Sequence, residues 1–450
     1  MKTITILSLG PDSGELLTLG ALTAMRTAKV LVLRTRRHAA AELLEREGVA
    51  FETLDALYEQ SEDFDELCAL AAKALIARAS ETEALCYAVS EPANDATVRA
   101  LSQALPEGIA LRVQGGVTLA ENAACAVLPY GVNTENLRTV TALSVDALRV
   151  QADCPQVVTE IDNRCLASDV KLWLGDLFDD GMTVYFLENA AEPFAEARPI
   201  ALCELDRQSH YDHRTAVLVP AVSVYERSRA SYEDFVQVIL RLRGPGGCPW
   251  DRAQTHHTLR QFMIEEACEA AEAMDGDDPM KIADELGDVL LQVVLNSAIG
   301  AEHRDFTDRD VTSMAAHKMI TRHEHVFGRA RADSAQAVGS VWENAKRRER
   351  GEQTPLERAL DVPASLPALM RAQKVAKRLD GDAPMTDGDA LEALGEAVRR
   401  LAERRDEAAL GETLAACAHL AQALGLDAET ALRTATARRL RDAAGAGKNR

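Results

Sequence analysis

Beyond about Val224 this 450-residue chain offers no further strand signal, and that change of pattern constrains its fold more than any other feature. Before it, short β-branched runs alternate with helical stretches. Thr3–Ser8, Val30–Leu33, Ala84–Val89, Ile109–Val113 and Met182–Leu187 read as strands, and Glu15–Thr27 and Asp65–Ala77 as helices. Such alternation predicts an α/β domain. After it the periodicity is helical, interrupted by the loop Gly244-Pro-Gly-Gly-Cys-Pro-Trp250 and by a polar, Pro-containing stretch from Arg347 to Pro355. The expected fold class is therefore multidomain, an N-terminal α/β region followed by all-α units, with boundaries near 225 and 355. Length agrees, since a single core stops growing at roughly 250–300 residues.

A formal charge of −21 argues against nucleic acid as a partner, because affinity for the phosphate backbone needs clustered Lys and Arg. The nine cysteines are scattered with no CxxC pair and no zinc-like spacing, as reduced thiols of a cytoplasmic protein would be. No apolar run approaches 18 residues and the start MKTITILSLG is too interrupted for a signal segment, so no membrane association is expected.

The chemistry concentrates in carboxylates. In Gln261-Phe-Met-Ile-Glu-Glu-Ala-Cys-Glu269, a helix turning about 100° per residue brings Glu265, Glu266 and Glu269 onto one face. Asp277-Asp278-Pro279 then supplies an N-cap and a first-turn proline for a second helix, on which Glu285 and Asp288 are i,i+3 neighbours. Asp288 leads directly into the apolar run Val289–Leu295, which places its carboxylate at or near a core. Like charges gathered there repel and raise one another's pKa unless a cation neutralises them. An all-oxygen cluster from two helices suits a hard divalent ion, Mg²⁺ with Mn²⁺ as the alternative. A single acidic pair on a helix is usually a solvated face; two such pairs a short hairpin apart, flanking apolar runs, favour the metal.

Lys318 and Arg322 form an i,i+4 basic pair, and Trp342 and Lys346 a second i,i+4 pair, suited to a polyphosphate and a stacked base. The histidines of Arg322-His-Glu-His-Val-Phe327 stand i,i+2 and cannot share a helix face, which disfavours a transition-metal site. An internal repeat lays Glu285-Leu-Gly-Asp288 on Ala409-Leu-Gly-Glu412, each followed by an apolar helix and a Gly. In the copy, Ala397 and Arg400 stand where the first unit has Glu266 and Glu269, and Ala409 where it has Glu285.

The ordered set Leu242-Arg-Gly-Pro-Gly-Gly-Cys-Pro-Trp-Asp251, Gln254-Thr255, Glu265-Glu266 with Glu269, Glu285-Leu-Gly-Asp288, Lys318 through Gly328, and Trp342 with Lys346 resembles the MazG nucleotide pyrophosphohydrolases. The resemblance implies a helical-bundle enzyme, homodimeric or larger, that cleaves nucleoside triphosphates to a monophosphate and pyrophosphate. Carried over residue by residue, it implies Glu266, Glu269, Glu285 and Asp288 as Mg²⁺ ligands and Glu265 as a further ligand or general base. Lys318, Arg322, Trp342 and Lys346 would hold triphosphate and base. The division it implies is 1–224, 228–350 and a degenerate second unit over 360–445.

The first 220 residues are similar to the tetrapyrrole (corrin/porphyrin) methylase fold, through Gly10-Pro-Asp-Ser-Gly-Glu-Leu-Leu-Thr18 and Ala167-Ser-Asp-Val-Lys-Leu172. That likeness brings S-adenosylmethionine as a cofactor. Where the fold usually places a Pro-Gly step for its methionine part, however, this chain has Val89-Ser-Glu-Pro92, and a Ser followed by an acid counts against close backbone approach. The readings are therefore a pyrophosphohydrolase serving nucleotide-pool house-cleaning, a methyltransferase with an appended helical module, or a non-enzymatic nucleotide sensor. The intact acidic and basic sets of residues 265–346 count against the third.

Overall fold

The structure, a computed structural model, describes residues 2–58, 60–329, 331, 334–350, 353–381 and 385–447. Of the polar stretch from Arg347 to Pro355, Gly351 and Glu352 lie outside the described residues. The chain forms two compact units, Met1–Ala298 and Ile299–Arg450. Among the described residues it is an α/β region followed by helices alone, as the change of pattern predicts.

The first unit opens with two five-stranded sheets. One takes β1 (Lys2–Ser8), β2 (Leu31–Leu33), β3 (Glu52–Thr53), β4 (Ala84–Val89) and β5 (Ile109–Gln114) in the order β3-β2-β4-β1-β5. Every pairing in it is parallel, with Ile4 opposite Leu85 and Leu111. Helices α1 (Leu19–Thr27), α2 (Ala39–Arg46), α3 (Asp55–Tyr58), α4 (Phe64–Glu81) and α5 (Ala96–Ala104) run between these strands. Because both faces are covered, β1 alternates between two cores: Ile4 and Ile6 pack with Leu75, Leu85 and Tyr87, while Leu7 packs with Met25, Leu33 and Leu44. Burying each such side chain contributes roughly 1.5–3 kcal/mol.

After α6 (Leu119–Val127) comes the second sheet, β6 (Arg138–Thr141), β7 (Gln156–Thr159), β8 (Thr183–Leu187), β9 (Arg198–Ala201) and β10 (Ala216–Val219), ordered β6-β7-β10-β8-β9, with α7 (Arg164–Leu174) between β7 and β8. Only β6–β7 is parallel. It too is covered on both faces: Val158 and Val217 lie in one core, Val157 and Leu218 in the other. Pro199 sits in the edge strand β9, where a missing N–H costs least.

The helical part of this unit is tied to the sheets by Arg227, whose guanidinium pairs with Asp234 at 2.5 Å, and by Arg229, which donates to the Gly175 carbonyl at 2.6 Å. It comprises α8 (Tyr232–Arg243), α9 (Pro249–Ala253), α10 (His256–Met274) and α11 (Pro279–His303). The boundary between the units falls inside α11.

The second unit continues with α12 (Asp308–Arg322), α13 (Glu324–Phe327), α14 (Ala335–Arg350), α15 (Pro355–Leu360), α16 (Ala368–Asp380), α17 (Asp387–Arg404), α18 (Glu407–Ala423) and α19 (Ala428–Gly447). Among the described residues no helix is long and apolar enough to cross a membrane.

Candidate functional site

The acidic site is built by the α10–α11 hairpin. Thr255 caps α10, accepting the Thr258 N–H, and Asp278 caps α11, accepting the Met280 N–H at 3.0 Å with Pro279 in the first turn. The turn between α8 and α9 is drawn tight: a Cβ on Gly247 would meet the Leu242 carbonyl oxygen at 2.1 Å, so only glycine fits there. Trp250 then packs edge-on against Phe262 of α10, ring centroids 6.1 Å apart. At the far end His256 Nδ1 meets Asn296 Oδ1 at 2.7 Å and closes the hairpin.

Along α10 the half-buried Glu266 shares a stripe with the buried Ala270 and Ala273; along α11 Asp288 heads a stripe that continues through Gln292, Leu295 and Ile299. The carboxylates therefore stand where each core stripe runs out toward the hairpin turn. One oxygen from each of Glu266, Glu285 and Asp288 can be chosen so that all three lie within 4.8 Å of one another. Glu266 is held above the ordinary carboxyl range by burial first, then by the charges of Asp288, Glu269, Glu265 and Glu285. The other four predicted acids thus all act on Glu266, though Glu265 and Glu269 are exposed. Asp288 corrects the expectation of near-burial: it is exposed, because the first buried residue of α11, Gln292, comes a turn later. The Gln292 amide oxygen is itself buried and accepts no hydrogen bond from the described residues.

The basic and aromatic set lies in the second unit. Trp342 of α14 has the Arg322 guanidinium and the Lys346 ammonium each 5.5 Å from its ring centroid, and the His323 ring edge-on at 5.0 Å. Lys318 stands one turn before Arg322 on α12, close enough to help lower the Glu349 pKa. The His323 and His325 rings lie 5.5 Å apart, His323 standing between α12 and α13. Sequence reasoning missed Glu349, which receives Arg322 Nη2 at 2.6 Å; nothing in the charged run Lys346-Arg-Arg-Glu-Arg350 separates it from a solvated face.

In the α/β region, the Glu91 carboxylate of the Val89-Ser-Glu-Pro92 step accepts the Leu119 N–H at the head of α6, at 2.6 Å, and the Asn94 amide at 3.0 Å.

Residues 254–327 match the MazG nucleotide pyrophosphohydrolase domain. The chain is 38% identical over 213 residues to the nucleoside triphosphate pyrophosphohydrolase/pyrophosphatase MazG of Thermotoga maritima, which spans 46% of this chain and 81% of that one. It is 33% identical over 378 residues to the uncharacterized protein YabN of Bacillus subtilis, covering 83% of this chain and 76% of the relative. The N-terminal half is similar to the X-ray structure of the cobalamin biosynthetic enzyme cobalt precorrin-4 methyltransferase, with a TM-score of 0.36 and 15% identity over 48% of this chain and 93% of that one. By class, then, the helical part is that of a nucleoside triphosphate pyrophosphohydrolase. The chain belongs to the MazG family.

Proposed function

We propose that this chain hydrolyses nucleoside triphosphates to a nucleoside monophosphate and pyrophosphate with a divalent cation, Mg²⁺ or alternatively Mn²⁺, in the service of nucleotide-pool house-cleaning in the cytoplasm. The observation that carries this reading is the convergence of Glu266, Glu285 and Asp288 within 4.8 Å. The donor set fits the ion: it is all oxygen, drawn from two helices, with a carboxyl whose pKa is pushed up by its like-charged neighbours. Glu266, Glu269, Glu285 and Asp288 would hold the cation, with Glu265 a further ligand or general base.

Hydrolysis of a phosphoanhydride needs positioning and charge neutralisation more than covalent chemistry. The bound cation would supply neutralisation of phosphate oxygens and a more acidic water. Glu265 would take the proton of the attacking water. Lys318, Arg322 and Lys346 would hold phosphate oxygens, and Trp342 would both fix the two cations it faces and offer its indole to the base.

The division proposed is an α/β domain over 1–224, the hydrolase domain over 228–350 and a degenerate unit over 360–445, assembled as a homodimer or larger. No step is assigned to S-adenosylmethionine, since Glu91 and its bond to Leu119 replace the Pro-Gly step the related fold uses; the α/β domain would serve as scaffold. A panel of nucleoside triphosphates with Mg²⁺ tests the reading. Monophosphate plus pyrophosphate is expected; diphosphate plus phosphate, or no turnover of any member, would refute it.

A further inference from the structure

Arg322 closes α12 and Glu349 lies near the end of α14, so their meeting is a property of how two helices lie rather than of local spacing. We propose that Glu349 is a positioning residue that sets the Arg322 guanidinium for the polyphosphate of the substrate, an inference resting on the reading of Arg322 as a phosphate ligand.

The carboxylate grips one edge of the guanidinium. Arg322 Nη2 donates to Glu349 Oε2 at 2.6 Å, and Nε lies 3.2 Å from Oε2 and 3.3 Å from Oε1. Thr321 Oγ1, beside the arginine, lies 3.2 Å from Glu349 Oε1 and 2.7 Å from the His317 carbonyl oxygen, which share its one proton. The guanidinium carbon is 5.5 Å from the Trp342 centroid. A planar ion gripped along one edge and faced by an indole is fixed in both plane and direction.

The neighbouring bridge provides the contrast. Arg348 and Glu324 join α14 to α13 at 3.0 Å, but the arginine side chain there is 72% exposed, against 14% for Arg322. An exposed bridge of that kind contributes little. The Arg322–Glu349 pair is the one with the geometry and shelter to prepay the ordering of a long side chain before a phosphate arrives. The Glu349 carboxyl lies below its ordinary range, chiefly through the Arg322 hydrogen bond.

The test is steady-state pyrophosphate release by the full-length enzyme with Mg²⁺ and its best triphosphate, for Glu349→Ala, Arg322→Ala, the double variant and the control Glu324→Gln. Glu349→Ala should raise KM about tenfold with kcat little changed, add nothing in the Arg322→Ala background, and contrast with an unchanged control. A KM that stays put or falls in Glu349→Ala overturns the proposal, as does a full further rise in the double variant. If Arg322→Ala itself leaves KM unaltered, the phosphate assignment of Arg322 falls and takes the positioning role with it; if only Glu349→Ala is silent, the assignment stands and the positioning role alone is lost. Should Glu349→Ala fail to fold, the isosteric Glu349→Gln gives the same reading with a smaller rise.

Discussion

The α10–α11 and α17–α18 hairpins answer the same question in opposite ways. Both are antiparallel pairs whose second helix starts from an aspartate cap, Asp278 in one and Asp406 in the other. In the first, the facing positions carry Glu266, Glu269, Glu285 and Asp288, and the charge of each neighbour raises the Glu266 pKa. In the second, Ala397 and Ala409 are buried at the positions aligned with Glu266 and Glu285, and Arg400 stands opposite Glu412, its Nε 3.2 Å from that carboxylate and its Nη1 3.8 Å from Glu396. One hairpin keeps like charges together. The other has buried alanines and a guanidinium of its own. The two arrangements differ in electrostatics: facing carboxylates raise one another's pKa, whereas a guanidinium beside a carboxylate favours its charged form.

The largest effect expected from breaking this contrast is on catalysis. Glu266→Ala or Asp288→Asn should lower pyrophosphate release at least ~100-fold, with the far-ultraviolet circular dichroism unchanged. Near-normal release in either variant would remove the metal cluster from the mechanism. Next comes the attempt to make the second hairpin imitate the first: Ala409→Glu puts a carboxylate at a position with no exposure and should cost about 3 kcal/mol or more in denaturant unfolding of the second unit. An unchanged midpoint would mean that the hairpin tolerates an acid at this position. Arg400→Ala should matter far less, under about 1 kcal/mol, since the pair is half exposed and screened by solvent.

The smallest effect is a slope with pH. Glu266 has a raised pKa in the folded chain, so between the unfolded carboxyl pKa and that raised value the folded state binds more protons than the unfolded one. Without divalent metal, stability of the first unit should therefore fall as pH rises through that window, and Glu266→Gln should flatten the fall. Melting curves in a chelating buffer over pH 4–7, a range set by the ordinary carboxyl pKa of about 4.3, would show it; an equal slope in the variant would assign the effect elsewhere.

Much of this was legible in the chain itself. The strands β1, β2, β4, β5 and β8 announce themselves by β-branched runs, and α10 and α11 by capping residues and stripe. The predicted helix Glu15–Thr27 is shorter than its pattern: a brief 3₁₀ turn at Gly14–Leu16 comes first, and Thr18 caps a helix that begins at Leu19. Strands β7 and β10 are four residues long and buried throughout, too short to show a period, and β3, β6 and β9 are brief pieces at or near sheet edges that carry charged residues or a proline. At the site, i,i+3 spacing brought out Glu266, Glu285 and Asp288 because a helix converts spacing into direction. The exposure of Asp288 is set by tertiary packing, which buries residues of α11 only from Gln292 onward. The Arg322–Glu349 grip depends on two helices separated in sequence, and no local pattern encodes it.

Calorimetric titration of Mg²⁺ into the wild-type chain and into Glu285→Gln probes the acidic hairpin most directly. A saturable binding heat in the wild type that disappears in the variant is the predicted result. The same heat in both would mean that the ion, if held at all, is held elsewhere, and that the facing acids of α10 and α11 are an inherited surface and not a metal centre.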